Sequence, residues 1–210
     1  GTFTGLADGD EVTSLASGDI KAYISYNGGD GNDVTLSFFD TANPAPVVVD
    51  GLDGPTEFAV QVVGNTVQVV KDPNGTPEVI ATRPLAAAHI EINGDDGAAG
   101  GEGNDTFILD YSDPKLLQAR ITVNGMDPVA GQGDQLVITN GTFGAVTHNL
   151  IAGDSGNLDL DGDGITDLTY TGLEPVDMTG STVDDLIFNL PAGTDNARLT
   201  QNSGTGELTL

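Results

Sequence analysis

Along most of the chain apolar and polar residues alternate in short runs with a period of two, the pattern of strands with one buried face. Glu11-Val12-Thr13, Ile20 to Tyr26 and Val34 to Phe39 read as strands separated by Asp-Gly, Ser-Gly and Gly-Gly turns. Glu57 to Val63 and Thr66 to Lys71 flank Gly64-Asn65, a pair suited to a two-residue hairpin turn. Val79 to Ala81 and His89 to Ile92 follow as further strands after Pro73-Asn74-Gly75. Helical signals are confined to single turns, at Pro84 to Ala88 and at Lys115 to Ala119 after Asp113-Pro114. The expected fold class is all-β.

Two features organise these strands. Asp40 to Pro46 contains the spaced prolines of an extended linker, and Asp53-Gly54-Pro55 is a second break. They divide the chain into a strand-rich end of a preceding module at 1–39, a linker at 40–54 and a larger module at 55–210. Within the larger module an internal repeat appears. Ile90-Glu91-Ile92-Asn93-Gly94 matches Ile121-Thr122-Val123-Asn124-Gly125. Asp105-Thr106-Phe107-Ile108 matches Asp134-Gln135-Leu136-Val137, at a period of about 30 residues. Each unit reads strand, acidic loop, strand, and can bury only one face by itself, so neighbouring units should stack. That favours a parallel β-helix or β-solenoid; a β-sandwich-like module, suggested by the Gly64-Asn65 hairpin, is the alternative.

Composition narrows the function. Only 38% of residues are apolar, with 7 Phe, 4 Tyr and no Trp, so Val, Ile and Leu must build the core. Thirty-two acidic residues against six basic ones give a formal charge of -26, which disfavours nucleic acid and anionic membrane surfaces and favours divalent cations. No apolar run approaches the ~20 residues of a membrane helix, so no membrane insertion is expected. The absence of cysteine rules out disulfides and thiolate metal sites and suits an exported bacterial protein. Because the pattern starts and stops in mid-repeat, we expect a piece of a longer chain whose export signals lie elsewhere, placed outside the cell or at its surface.

The acidic residues cluster in glycine-rich loops. Asp159, Asp161, Asp163 and Asp167 occupy positions one, three, five and nine of a D-x-D-x-D-G-x-x-D loop, with Gly164 at the sharp turn and Ile165 where a backbone carbonyl faces the ion. Alternate residues of a curled loop point inward together, which delivers the oxygen donors calcium requires; a solvated polar turn is the competing reading. Position twelve is Tyr170 rather than Glu, which argues against a helix-loop-helix hand, and Leu168-Thr169-Tyr170 reads as a strand. Gly100 to Ile108 fits the nonapeptide G-G-x-G-x-D-x-U-x, and Gly28 to Leu36 fits it at the glycines and Asp33. Asp105 and Asp33 are therefore further calcium candidates, with a tight turn in which the Asp accepts from local amides as the alternative.

Catalytic signals are weak. Only His89 and His148 could serve as a neutral-pH base, and each reads as a partly buried or surface residue; neither G-x-S-x-G nor H-E-x-x-H occurs, and adjacent carboxylates such as Asp95-Asp96 or Asp184-Asp185 would face opposite sides if on a strand. The chain is not expected to be an enzyme; a polysaccharide-degrading enzyme on a β-helix is the least favoured reading. Ile24 to Leu36, Ile90 to Leu109 and Leu168 to Val176 resemble the repeat regions of very large exported planctomycete-type surface proteins, which combine autotransporter-like passenger segments with hemolysin-type calcium-binding repeats. The resemblance implies a surface or matrix protein with a parallel β-helix. The expected role is a calcium-stabilised building block of an extracellular surface, matrix or filament, with copies of itself as partners through strand edges. An adhesin or carbohydrate-binding module, with cell-surface glycans as partner, is the alternative.

Overall fold

The computed structural model describes residues 2–13, 18–28, 33–51, 56–95, 103–126, 133–192, 200–201 and 208–209. The fold is all-β. An amino-terminal hairpin joins β1 (Ile20–Gly28) to β2 (Asp33–Asp40), with Glu11 bridged to Tyr23. Then come β3 (Val47–Asp50), β4 (Glu57–Val63), β5 (Thr66–Lys71), β6 (Glu78–Pro84), β7 (His89–Asn93), β8 (Thr106–Asp110), β9 (Arg120–Asn124) and β10 (Asp134–Thr139). β11 (Thr142–Ala152), β12 (Ser155–Asp159), β13 (Leu168–Thr171), β14 (Leu173–Asp177) and β15 (Thr182–Asn189) follow. A small hairpin of β16 (Thr200–Gln201) and β17 (Leu208–Thr209) ends the described chain.

Two sheets enclose one core. The first has the order β14-β10-β8-β4-β5-β6 and the second β15-β11-β12-β13-β9-β7-β3. Consecutive strands alternate between them at the centre: β7 to β8, then β9 to β10. The repeat explains this. Ile90 pairs with Ile121, Ile92 with Val123 and Asn93 with Asn124 in parallel register, while Phe107 pairs with Leu136 and Leu109 with Ile138. Inward positions of β7, β8, β9 and β10 are almost fully buried at period two, and Phe58 stacks on Phe107 at 5.8 Å between centroids. Each such buried side chain contributes about 1.5–3 kcal/mol.

Antiparallel strands interrupt the parallel stacks, so the sheets are mixed and do not form a regular β-helix. β5 and β6 extend the first sheet as hairpins, and Gly64 takes the left-handed conformation (φ +65°) at the turn expected from Gly64-Asn65. β12 runs antiparallel to both of its neighbours in the second sheet. The segment expected to link two modules is also partly structured: Val47–Asp50 form β3, which pairs in parallel with β7 and makes an edge of the second sheet. Pro44 and Pro46 precede it, where an edge strand tolerates missing donors. The single-turn helical signals appear as 3-10 turns at Leu85–Ala87 and Pro114–Gln118, the latter capped by the Asp113 side chain accepting from the Lys115 amide. No helix among the described residues is long and apolar enough to cross a membrane.

Candidate metal centre

β12 and β13 are antiparallel neighbours joined by residues 160–167, and the pairing of Leu158 with Leu168 sets Asp159 and Asp167 at the two feet of that loop. Leu160, immediately after Asp159, is completely buried and pins the loop to the core. Asp167 is held from the other side: its amide donates to the Leu158 carbonyl at 3.0 Å and its own carbonyl accepts from the Ile121 amide of β9 at 3.0 Å. The loop can turn tightly because Gly162 and Gly164 adopt φ of +76° and +85°, where a side chain would be strained.

Carboxylates organise the turn. The two Asp159 oxygens accept from the Gly162 amide at 2.7 Å and the Gly164 amide at 2.9 Å. Asp167 Oδ2 accepts from the Leu160 amide at 2.7 Å. Asp161 Oδ1 accepts from the Asp163 amide at 3.2 Å, and Asp163 Oδ1 from the Ile165 amide at 2.7 Å. These bonds bring one carboxylate oxygen each of Asp159, Asp161 and Asp167 within 4.8 Å of one another, with Asp159 buried, Asp167 half-buried and Asp161 exposed. Such a group can hold a metal ion. Asp163 and Ile165 stand beside it on the exposed tip, the Asp163 side chain engaged by the Ile165 amide.

Crowding shows in the ionisation of Asp167. Its carboxyl is pushed up to about 6, first by burial and then by the charges of Asp161, Asp159 and Asp163, against the lowering effect of the Leu160 amide. The field also reaches the core: the buried Tyr111 phenol is raised by burial and, secondarily, by Asp167. A divalent cation among these oxygens would remove the repulsion and favour the ionised form.

The other predicted ligands lie elsewhere. Asp33 opens β2, exposed, and pairs with Gly28 across the hairpin; residues 29–32 of its loop lie outside the described residues. Asp105, 1% exposed, precedes β8, and its two oxygens accept from the Thr56 amide at 2.7 Å and the Asp95 amide at 2.9 Å. Residues 100–102 of its nonapeptide, like Asp96, lie outside the described residues. His89 sits half-buried with Nδ1 3.0 Å from the Pro44 carbonyl, and His148 is buried against the Tyr170 hydroxyl at 2.6 Å, where burial lowers it to about 4.

One buried network was not singled out from sequence as a site. Asp134, the repeat equivalent of Asp105, is 1% exposed and accepts from the Asp105 amide at 2.7 Å through Oδ1; its Oδ2 has no hydrogen-bond partner among the described residues. Both carboxylates fit because glycines face them: a Cβ on Gly94 would lie 2.7 Å from Asp105 Oδ2, and one on Gly125 would lie 2.7 Å from Asp134 Oδ2. Beside those glycines runs a polar ladder, with Asn93 Nδ2 donating to Asp50 at 2.8 Å, Asn124 Nδ2 to Asn93 at 2.7 Å and Thr171 Oγ1 to Asn124 at 2.9 Å. The aligned Asn-Gly and Asp positions of the repeat were its visible signal.

Comparisons with protein-family models, curated proteins and solved structures give no match for this chain.

Proposed function

We propose that this protein is a calcium-stabilised building block of an extracellular surface, matrix or filament, which associates with copies of itself through strand edges. The observation that carries the reading is the convergence of Asp159, Asp161 and Asp167 at a turn tying β12 to β13. Calcium suits it for three reasons. The donors are all oxygen, which excludes the softer preferences of thiolate and imidazole sites. Oxygens within 4.8 Å of each other can share one ion at calcium's bond length of about 2.4 Å. The exposed Asp161, Asp163 and Ile165 side leaves room for the water and carbonyl oxygens that complete a coordination number of six to eight.

The task assigned to the ion is mechanical. By neutralising the loop it holds β12 and β13 in register in the middle of the second sheet, so that folding is coupled to external calcium by mass action. An acidic composition of this strength suits a medium rich in divalent cations, which supports the extracellular part of this reading. No chemical step is assigned to it. Calcium titration followed by isothermal calorimetry tests the site: one saturable event is expected, lost in Asp161→Asn, whose exposed side chain is not needed for the core. Equal calcium binding by wild type and Asp161→Asn would overturn the assignment.

A further inference from the structure

Two consecutive repeats build the same corner differently. After β7, Asn93-Gly94 leads to Asp95, whose amide donates to Asp105 Oδ2 at 2.9 Å. After β9, Asn124-Gly125 leads to Met126, with Asn93 and Asn124 paired in register. The two carboxylates stand alike: an ideal Cβ would lie 2.7 Å from Asp105 Oδ2 on Gly94, and 2.7 Å from Asp134 Oδ2 on Gly125. The amides that follow those glycines do not. Asp134 is 1% exposed, its Oδ1 accepts from the Asp105 amide at 2.7 Å, and its Oδ2 has no hydrogen-bond partner among the described residues. The Met126 amide therefore leaves empty the place that the Asp95 amide fills one repeat earlier.

The backbone shows why. Met126 has a φ of +65°, in the left-handed region. The other non-glycine residues with such angles among the described ones are Asp72 and Asn140, types whose short polar side chains tolerate it; a methionine has no such compensation. Its side chain is exposed, so core packing does not impose the angle, and Gly125 before it has no Cβ to resist a turn of the peptide that joins them. Met126 rests instead on the corner where β13 passes into β14: a Cβ on Gly172 would lie 3.1 Å from its carbonyl oxygen and 3.3 Å from its nitrogen. A buried carboxylate short of one donor and a strained backbone beside it each cost free energy, and one rotation relieves both. The charged groups facing Asp134 are Asp105, at the head of β8, and Asp95, after β7; burial first, and then these two charges, push its carboxyl up to about 6. On its other side stand Gly172 and Leu173, with Asp154 exposed behind the Leu173 amide.

We propose that the peptide between Gly125 and Met126 is a proton-operated switch. With Asp134 neutral it holds the left-handed state. When Asp134 ionises the peptide turns over, Met126 becomes extended, and its amide donates to Asp134 Oδ2 as the Asp95 amide already does to Asp105. The step releases one proton from the Asp134 carboxyl to solvent and breaks no covalent bond. It also moves the Met126 carbonyl off Gly172 and so alters the corner between β13 and β14. The switch is separate from the Asp159, Asp161 and Asp167 loop and does not depend on an ion there.

NMR of the isotope-labelled chain in excess chelator, from pH 4 to 8, tests it. As pH rises through the Asp134 titration, at or below about 6, the Met126 amide proton should move downfield and its coupling to Hα should change from the left-handed to the extended value. Asp134→Asn, which retains Asp167 and its own titration near 6, should keep the left-handed coupling at every pH. Because replacing a buried carboxylate risks misfolding, Met126→Gly provides a second arm at an exposed position. Glycine takes a positive φ freely, which should favour the left-handed state about tenfold and raise the Asp134 midpoint, read from its carboxyl carbon, by up to about one pH unit. An unchanged Met126 coupling across the Asp134 titration, or an Asp134 that does not titrate in this range, would overturn the switch. So would a Met126 response that survives in Asp134→Asn, or an Asp134 midpoint in Met126→Gly no higher than in wild type.

Discussion

Two groups of aspartates in this protein face the same problem and meet it differently. Asp105 and Asp134 sit at matching positions of consecutive repeats, each 1% exposed, stacked so that the amide of one donates to the carboxylate of the other. Asp159, Asp161 and Asp167 are gathered by one loop and grade from buried to exposed. In the first group backbone amides occupy both oxygens of Asp105 and one of Asp134, and Asp134 is pushed up to about 6, chiefly by burial and then by Asp105 and Asp95. In the second group the amides come from the loop itself and the carboxylates still converge. Acidic residues in a glycine-rich repeat thus split into a buried bracing set, which can be neutralised by a proton, and an open set, which we assign to a cation.

The contrast can be broken most forcefully at the glycines. Gly125→Ala would drive a methyl group into the Gly172 carbonyl and against Asp134, backbone and a braced side chain that cannot step aside. Chemical denaturation should show a loss above about 3 kcal/mol, whether or not calcium is present. An intermediate effect is expected from pH. Asp134 holds its proton more tightly folded than unfolded, so its contribution is full below about pH 4 and is lost as pH rises through about 6. The difference from the ordinary 3.8 corresponds to about 3 kcal/mol at most. Denaturation in chelator from pH 5 to 8 should therefore show wild type losing stability relative to Asp134→Asn, and parallel curves would mean that Asp134 is ionised throughout. The smallest effect is expected at Gly164→Ala, where φ is +85° but nothing lies within 4 Å of the new methyl: about 1 kcal/mol of backbone strain. A cost as large as at Gly125 would show that the open loop is packed as tightly as the buried ladder.

How far the sequence reveals this depends on periodicity. The register of β7 on β9 and of β8 on β10 follows from the repeat, because Ile90, Ile92, Phe107 and their partners keep a strict period of two. β11 was not foreseen, since Phe143, Val146 and His148 are its buried positions and the three-residue step between the first two breaks the alternation. β15 hides for another reason: at an edge, Leu186, Ile187 and Phe188 run consecutively and no single face is buried. β3, four residues behind two prolines, resembled a linker until its partner β7 was in view. At the site, the spacing of the aspartates marked the loop, but not which of them meet: Asp163 turns to the Ile165 amide and drops out of the converging set. Nor could spacing show the Asp105 carboxylate already engaged by amides 49 and 10 residues away.

The most direct test of the account is differential scanning calorimetry at neutral pH, in millimolar calcium and in excess chelator, on wild type and Asp161→Asn. We predict that calcium raises the melting temperature of wild type by several degrees, the equivalent of about 2 kcal/mol or more of ligand-linked stability, and leaves that of Asp161→Asn unchanged. Superimposable wild-type melts in calcium and chelator would contradict the claim that this loop is held in shape by a bound ion.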